Sequence, residues 1–418
     1  MPLWERLGIT RRVFPYPVLL FGLSLGRGLL APVLAVYFRQ QGLSLLEVGI
    51  VASVFEVSML AFELPTGFIA DRFGRKVSVA CCFACLGLAG VVFWLAGGVT
   101  GFITATVLQG LGYTCVSGAL QAWAVDTLKQ QGEPGQIQNT IISGVQGRQT
   151  GLIVGSILGG YLGLRYMTVN WLAYIILNAC LFSYTIMGLR EDRGDTMETP
   201  AADRGRGLAG MFAAAPGAVR IGLLFCFVCL VHEFAVAPID EYWPVYGTEE
   251  VRLSTAALGW LLAGANLFLI VAVRPAIRWL TARCRGTGSF IGVNLAGALL
   301  VLLIVAANRP LVAAAAFVGF RFAVGLYEPI FENHINALID SRYRATVLSI
   351  YNMAGSAGEI AGIVAIGAAA ESAGLRTAFL LSAAGIAVTL ILFGGIGRMT
   401  ARQTQLSPNR HATISGQE

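Results

Sequence analysis

The stretch "GFIADRFGRK", residues 67–76, decides how this chain is read. It packs four charges and two glycines between two long apolar runs. Asp71 follows one run directly, and Arg72, Arg75 and Lys76 precede the next. Gly74 sits where the chain must turn sharply, a job suited to a residue without a Cβ. Gly67, at the end of the preceding run, is expected to let a neighbouring helix approach closely.

Working outward, the runs on either side set the class. The chain has 418 residues, of which 56% are hydrophobic and 12% charged. Soluble domains carry about 25% charged residues, and the mean hydropathy here is +0.71. A soluble globular enzyme is excluded on that ground. A bilayer core of ~30 Å is crossed by about 20 apolar residues in a helix. The runs are continuous, which excludes a β-barrel built from alternating segments of ~10 residues. The 51 glycines fit helices that approach one another closely in lipid. The basic start, "MPLWERLGITRRVF", leads straight into a full-length span, so no cleavable leader is expected.

The expected fold is an all-α membrane protein of twelve transmembrane helices. The spans are read at 15–38, 45–69, 77–97, 101–127, 139–163, 167–188, 219–245, 254–280, 286–307, 310–337, 345–371 and 375–397. Residues 1–188 form a first six-helix half and 219–400 a second, joined by a polar linker at 189–218 and followed by a tail at 401–418. Most of the 29 lysines and arginines fall in alternate loops, with Arg39, Arg165, Arg252, Arg309 and Arg376 on the other side. The positive-inside rule then places both termini, the linker and the 67–76 turn in the cytoplasm. The net charge of +6 is a topological signal, so no nucleic-acid partner is expected. The halves echo one another weakly: the fourth span ends "LQAWAVD" at Asp126 and the tenth "HINALID" at Asp340. Repeated halves with a site between them are the usual build of a secondary transporter.

The spacing of Gly67, Asp71, Arg72, Gly74, Arg75 and Lys76 resembles the signature loop of the major facilitator superfamily. The resemblance covers the whole chain and is strongest to bacterial drug and metabolite:proton antiporters. It implies that the loop is a conformational switch, holding the halves together in the outward-facing state. Asp71 would then engage the second half near the start of the eleventh span. The equivalent loop of the second half, "RPAIRWLTARCRG", lacks the Gly/Asp pattern. In the fifth span Gly147, Gly151, Gly155 and Gly159 recur every four residues and expose a bare packing face. This face resembles the antiporter motif of proton-coupled drug exporters, with Gly155-Ser156 where those exporters have Gly-Pro. They also carry an arginine in the fourth span, three residues before a Gln-Gly pair. Here Thr106 precedes Gln109-Gly110, while Arg321 and Gly325 keep that offset in the tenth span.

Ionisable side chains within spans cost about 2.5–3.5 kcal/mol each on insertion scales and mark functional candidates. Those expected on the substrate or proton pathway are Arg27, Glu56, Glu63, Arg148, His232, Glu233, Arg321, Glu328 and Glu359, with Glu332 on the Glu328 stripe. Glu56 and Glu63 lie seven residues apart and share a helix face, and Pro65 beyond them is expected to bend the helix. Arg148 would point to the central cavity once the glycine face packs sideways. Glu233, beside His232, is the acid ranked first for carrying a proton. Phe21, Phe55, Trp123, Tyr327 and Phe331 are aromatic candidates for a solute wall or for plain packing.

The expected function is proton-coupled efflux of small organic molecules by alternating access. The alternative is uptake or exchange of an anionic metabolite held by Arg27, Arg148 and Arg321. No cofactor, metal site or enzymatic activity is expected, since no metal-spacing or nucleotide-binding pattern occurs. The eight cysteines fall in or beside spans, so no disulfides are expected. The partners implied are a small-molecule substrate, protons and the lipid bilayer, with the chain a monomer in a bacterial inner membrane.

Overall fold

The structure is a computed structural model, and it describes residues 8–164, 166–190, 216–284, 287–338 and 341–406. Most of the expected linker and the last residues of the tail lie outside the described residues. The described residues are helical and contain no strand. In chain order the helices are α1 (Pro15–Leu30), α2 (Leu34–Gln40), α3 (Leu45–Phe73), α4 (Arg75–Leu95), α5 (Val99–Val116), α6 (Ala119–Gln130) and α7 (Ile137–Leu162). They continue with α8 (Met167–Gly188), α9 (Pro216–Glu249), α10 (Thr255–Arg283), α11 (Gly288–Ala306), α12 (Pro310–Leu338), α13 (Ser341–Ala373) and α14 (Leu375–Leu406).

Two expected spans are each made of two helices. The first combines α1 and α2 as Pro15–Gln40, and the fourth combines α5 and α6 as Val99–Gln130. Pro32 separates the first pair, because proline has no N–H to continue the ladder. Gly118, at φ 72°, separates the second in a conformation that favours glycine. Among the described residues, eleven segments are long and apolar enough to cross a membrane. The remaining expected span, the fifth, is α7, which has the length but not the apolarity, since Gln138, Asn139, Gln146, Arg148 and Gln149 crowd its first half. The protein is an integral membrane protein.

The chain divides into two compact units. The first comprises residues 1–199, 240–267 and 363–375, and the second 200–239, 268–362 and 376–418. In the first unit α1 packs chiefly on α7, α4 on α5 and α8, and α3 on α5. In the second, α11 packs on α12.

Several sequence expectations change at the 67–76 stretch. Helix α3 runs to Phe73, so Asp71 lies in its last turn and not beyond it. Pro65, where a bend was expected, lies inside this helix, and the Thr66 hydroxyl donates to Phe62 O at 2.8 Å one turn back. Gly74 has φ 98° and both ends α3 and opens α4. Gly67 does not seat a neighbour: a Cβ there would meet nothing within 4 Å. Arg75 forms an ion pair with Asp126 of α6, an acid the sequence showed only as the end of a span. The expected partner of Asp71, near the start of the eleventh span, lies outside the described side chains.

The opposite end of the first unit is tied by polar contacts. Ser44 and Glu47 form a reciprocal capping box at the start of α3. Glu371 adds a further acceptor to this helix end, taking the Leu45 N–H at 2.7 Å. Tyr242 Oη lies 3.1 Å from Leu45 O and 3.0 Å from Ile363 O, so its one proton is shared between two carbonyls. Arg39 pairs with Glu249 at 3.1 Å and also donates to Leu43 O at 2.7 Å.

Candidate functional site

The four-residue glycine repeat of α7 builds the site. A Cβ at Gly147, Gly151, Gly155 or Gly159 would collide with the carbonyl oxygen of Pro17, Phe21, Leu25 or Leu29 respectively. The two helices therefore meet backbone to backbone along four turns, as small residues permit in lipid. Gly28 repeats the fit from the α1 side, where a Cβ would press on Leu152 O and Ser156 N. Ser156 keeps α7 continuous: it has no ring to clash with the preceding turn, and its hydroxyl donates to Leu152 O at 2.8 Å.

This seam brings Arg27 of α1 and Arg148 of α7 to the wall of one cavity of about 260 Å³. Tyr16, Ser24, Tyr113 and Gln121 supply further polar groups to the same wall. The break between α5 and α6 also lies there, with Ser117, Gly118 and the first turn of α6 facing the space. Irregular backbone inside a membrane is tolerated where it lines a cavity or is enclosed by protein. Both arginines are exposed to the cavity, and among the described residues neither closes an ion pair.

Glu56 of α3 is half-buried and lies within Coulombic range of Arg27. Glu241 of α9, also half-buried, feels Arg27, Glu56 and its neighbour Asp240. Glu241 was not among the sequence candidates; its signal was a pair of adjacent acids inside a run that otherwise reads as apolar. Glu63, farther along α3, is exposed. Phe55 meets Tyr113 edge-on with centroids 5.6 Å apart.

The candidates of the second unit occupy a different setting. His232 of α9 is 2% exposed, and its Nδ1 lies 2.9 Å from Asn294 Oδ1 of α11. The Asn294 amide nitrogen already donates to Phe290 O at 2.9 Å, so its oxygen faces the imidazole and Nδ1 must carry the proton. Thr389 places its hydroxyl 3.1 Å from the same Asn294 oxygen. The His232 ring stacks on Tyr327 at 3.9 Å between centroids and 8° between planes. Glu233 is half-buried, its Cγ beside the bare face of Gly355 on α13. Gly358 and Gly362 of α13 continue that face onto Leu230 O and Phe234 O of α9. Arg321 and Glu359 are half-buried, and Glu328 and Glu332 exposed. None of these lines the cavity of the first unit. Among the aromatic candidates, Trp123, Tyr327 and Phe331 are buried in packing, and Trp123 Nε1 donates to Arg190 O at 3.0 Å.

Comparison with known proteins agrees with this architecture. The family model described as Major Facilitator Superfamily matches residues 18–283. An uncharacterized MFS-type transporter of Bacillus subtilis, YxaM, is 22% identical over 88% of this chain and 92% of its own length. Multidrug resistance protein 2 of the same organism is 28% identical over 34% of this chain and 35% of its own. Among solved structures, the nucleoside transporter NupG superposes with a TM-score of 0.77 at 13% identity, covering 93% of this chain and 99% of that one. With its helical spans, its glycine-seamed first unit and a family match over more than half its length, the chain belongs to the Major Facilitator Superfamily and is a secondary membrane transporter.

Proposed function

We propose that the chain exports small organic molecules in exchange for protons, by alternating access, from the cytoplasm across a bacterial inner membrane. One observation carries this reading: a protonatable carboxyl, Glu56, lies in electrostatic reach of Arg27 on the wall of a solute-sized cavity. Burial and a nearby cation pull such a carboxyl in opposite directions, so a change in either alters its hold on a proton. That is what coupling requires of a carrier. The similarity to multidrug resistance proteins supports the export direction. The sequence candidates Glu63, His232, Glu233, Arg321, Glu328 and Glu359 are assigned to the proton and solute path. The 67–76 turn is assigned to the switch between states, with both termini cytoplasmic and the chain a monomer.

The test is reconstitution in liposomes with a pH-sensitive dye inside, an imposed proton gradient, and a panel of amphipathic cations, neutral drugs and organic anions. The reading expects a solute that drives proton movement in the unaltered protein and fails to do so in Glu56→Gln. Solute movement with no accompanying proton flux, or an undiminished proton flux in Glu56→Gln, overturns it.

A further inference from the structure

We infer that the cavity of the first unit holds the anionic group of its solute, a carboxylate or phosphate gripped between Arg27 and Arg148. The inference rests on the reading of this cavity as the solute's site and adds the chemical class of what enters it.

Two cations in one membrane-embedded cavity are costly and call for compensation. Arg27 has part of it, since Glu56 and Glu241 both attract it, yet neither closes to a direct ion pair. Arg148 is exposed to the cavity, with the phenol of Tyr16 in its electrostatic reach. Among the described residues Arg148 closes no ion pair, and it lines a space large enough for a small aromatic acid or a sugar phosphate.

The rest of the wall is mixed, with Leu20, Leu23, Val116 and Leu120 apolar beside several polar side chains. Tyr16, Tyr113 and Ser24 carry hydroxyls and Gln121 an amide, all able to donate to an oxyanion. The first turn of α6 begins at the break after Gly118 and lines the cavity. The carbonyl end of α5 meets it there, and the Ala119 N–H is taken by Ser117 O at 2.9 Å, so the two helix ends offset one another and the guanidinium groups carry the positive charge of the wall. The wall offers two guanidinium groups and several neutral donors, and among the described residues no carboxylate is part of it. Guanidinium groups pair with carboxylate or phosphate through two parallel hydrogen bonds. Glu56 and Glu241 act on Arg27 without lining the cavity, so they compete with such a ligand for that arginine.

The competition sets a signed expectation. Neutralising Glu56 frees Arg27 for the ligand, and anion affinity rises. Removing Arg148 takes away one of the two cations at the wall, and anion affinity falls.

The test is equilibrium binding to the purified full chain in detergent, with no gradient, using three probes of one shape: 2-naphthoate, 2-naphthamide and 2-naphthylmethylammonium. The naphthoate is expected to bind about tenfold or more tighter than the amide, the size of one or two charge-assisted hydrogen bonds. Arg27→Gln and Arg148→Gln should each bring naphthoate down to the level of the amide, and Arg148→Lys should keep part of the preference. Glu56→Gln should raise naphthoate affinity about threefold or more. All variants are first checked for a single monodisperse species and an unchanged melting temperature, and Arg148→Lys serves if Arg148→Gln fails that check. Preference for the ammonium probe, equal binding of all three, or naphthoate binding untouched by both arginine variants overturns the inference. Because no gradient is present, a failure of proton coupling in liposomes leaves this binding result standing. A loss of anion preference here leaves the proton measurement standing in turn.

Discussion

The α1–α7 seam of the first unit and the α9–α13 seam of the second are built by the same device. In each, glycines one turn apart press on the carbonyls of a facing helix: Gly147, Gly151, Gly155 and Gly159 in α7, Gly358 and Gly362 in α13. What the two seams display differs. The first presents Arg27 and Arg148 to an open cavity. The second carries His232 into a packed interior, where Asn294, Thr389 and the Tyr327 ring surround it. A common packing device leaves the neighbouring polar residues free to specialise. One seam keeps its charged groups in contact with solute-sized space, and the other encloses its imidazole among packed helices.

The largest effect should follow from filling the seams themselves. Gly155→Leu and Gly358→Leu each force a side chain against backbone, which cannot yield as a flexible side chain would. Each should cost more than about 3 kcal/mol and appear in detergent melts as loss of folded protein. Gly264→Leu in α10, where a Cβ meets nothing within 4 Å, should melt like the unaltered chain. If Gly155→Leu also melts normally, the seam is not what joins α1 to α7.

The next effect separates the closed polar network from the open cavity. Asn294→Ala leaves the buried His232 N–H without its acceptor and should cost about 1–3 kcal/mol in the same melts. Arg148→Gln, at an exposed position, should change stability by less than about 0.5 kcal/mol while abolishing anion preference. Equal destabilisation by both would erase the proposed contrast between the two seams.

A smaller loss is expected at the end of the first unit that carries Ser44. Tyr242→Phe removes the hydroxyl shared by Leu45 O and Ile363 O and should cost about 1 kcal/mol. Smallest of all is Arg39→Gln. Its partner Glu249 is exposed, and pairs of that kind contribute about 0–1 kcal/mol and fade with salt. A melt shift for Arg39→Gln that persists in high salt would show this contact to be shielded from solvent.

Much of this architecture was legible along the chain, because hydropathy and charge report directly on the bilayer. The helical spans, the 67–76 turn and the bare face of α7 were all read from local pattern, and Gly74 turns the chain where it was expected to. The convergence of Arg27 and Arg148 was only half legible. The repeat in α7 implied close packing, but its partner is more than a hundred residues away in sequence. The break at Ser117–Gly118 was hidden because a single glycine with positive φ leaves no trace in hydropathy. Glu241 was hidden for a related reason: "PIDEYWP" reads as the end of a span until Arg27 and Glu56 are seen nearby. Asp126 and Arg75 illustrate the same limit: each stood out in its own stretch, but their pairing exists only in three dimensions. Gly67 erred the other way, its place in the motif suggesting a contact that the fold does not make there.

The polarity of α7 bears on how the protein is made. A helix with an arginine and several amides in its first half is a poor candidate for partitioning into lipid as it leaves the ribosome, since one arginine near mid-helix costs about 2.5–3.5 kcal/mol on insertion scales. Its glycine face gains contacts only against α1, which is synthesised well before it and is apolar enough to be held in the membrane already. Biogenesis thus has a built-in order, with α1 serving as the template on which α7 is threaded. A lesion in α1 at Gly28 would show itself first as a chain whose fifth span never enters the bilayer.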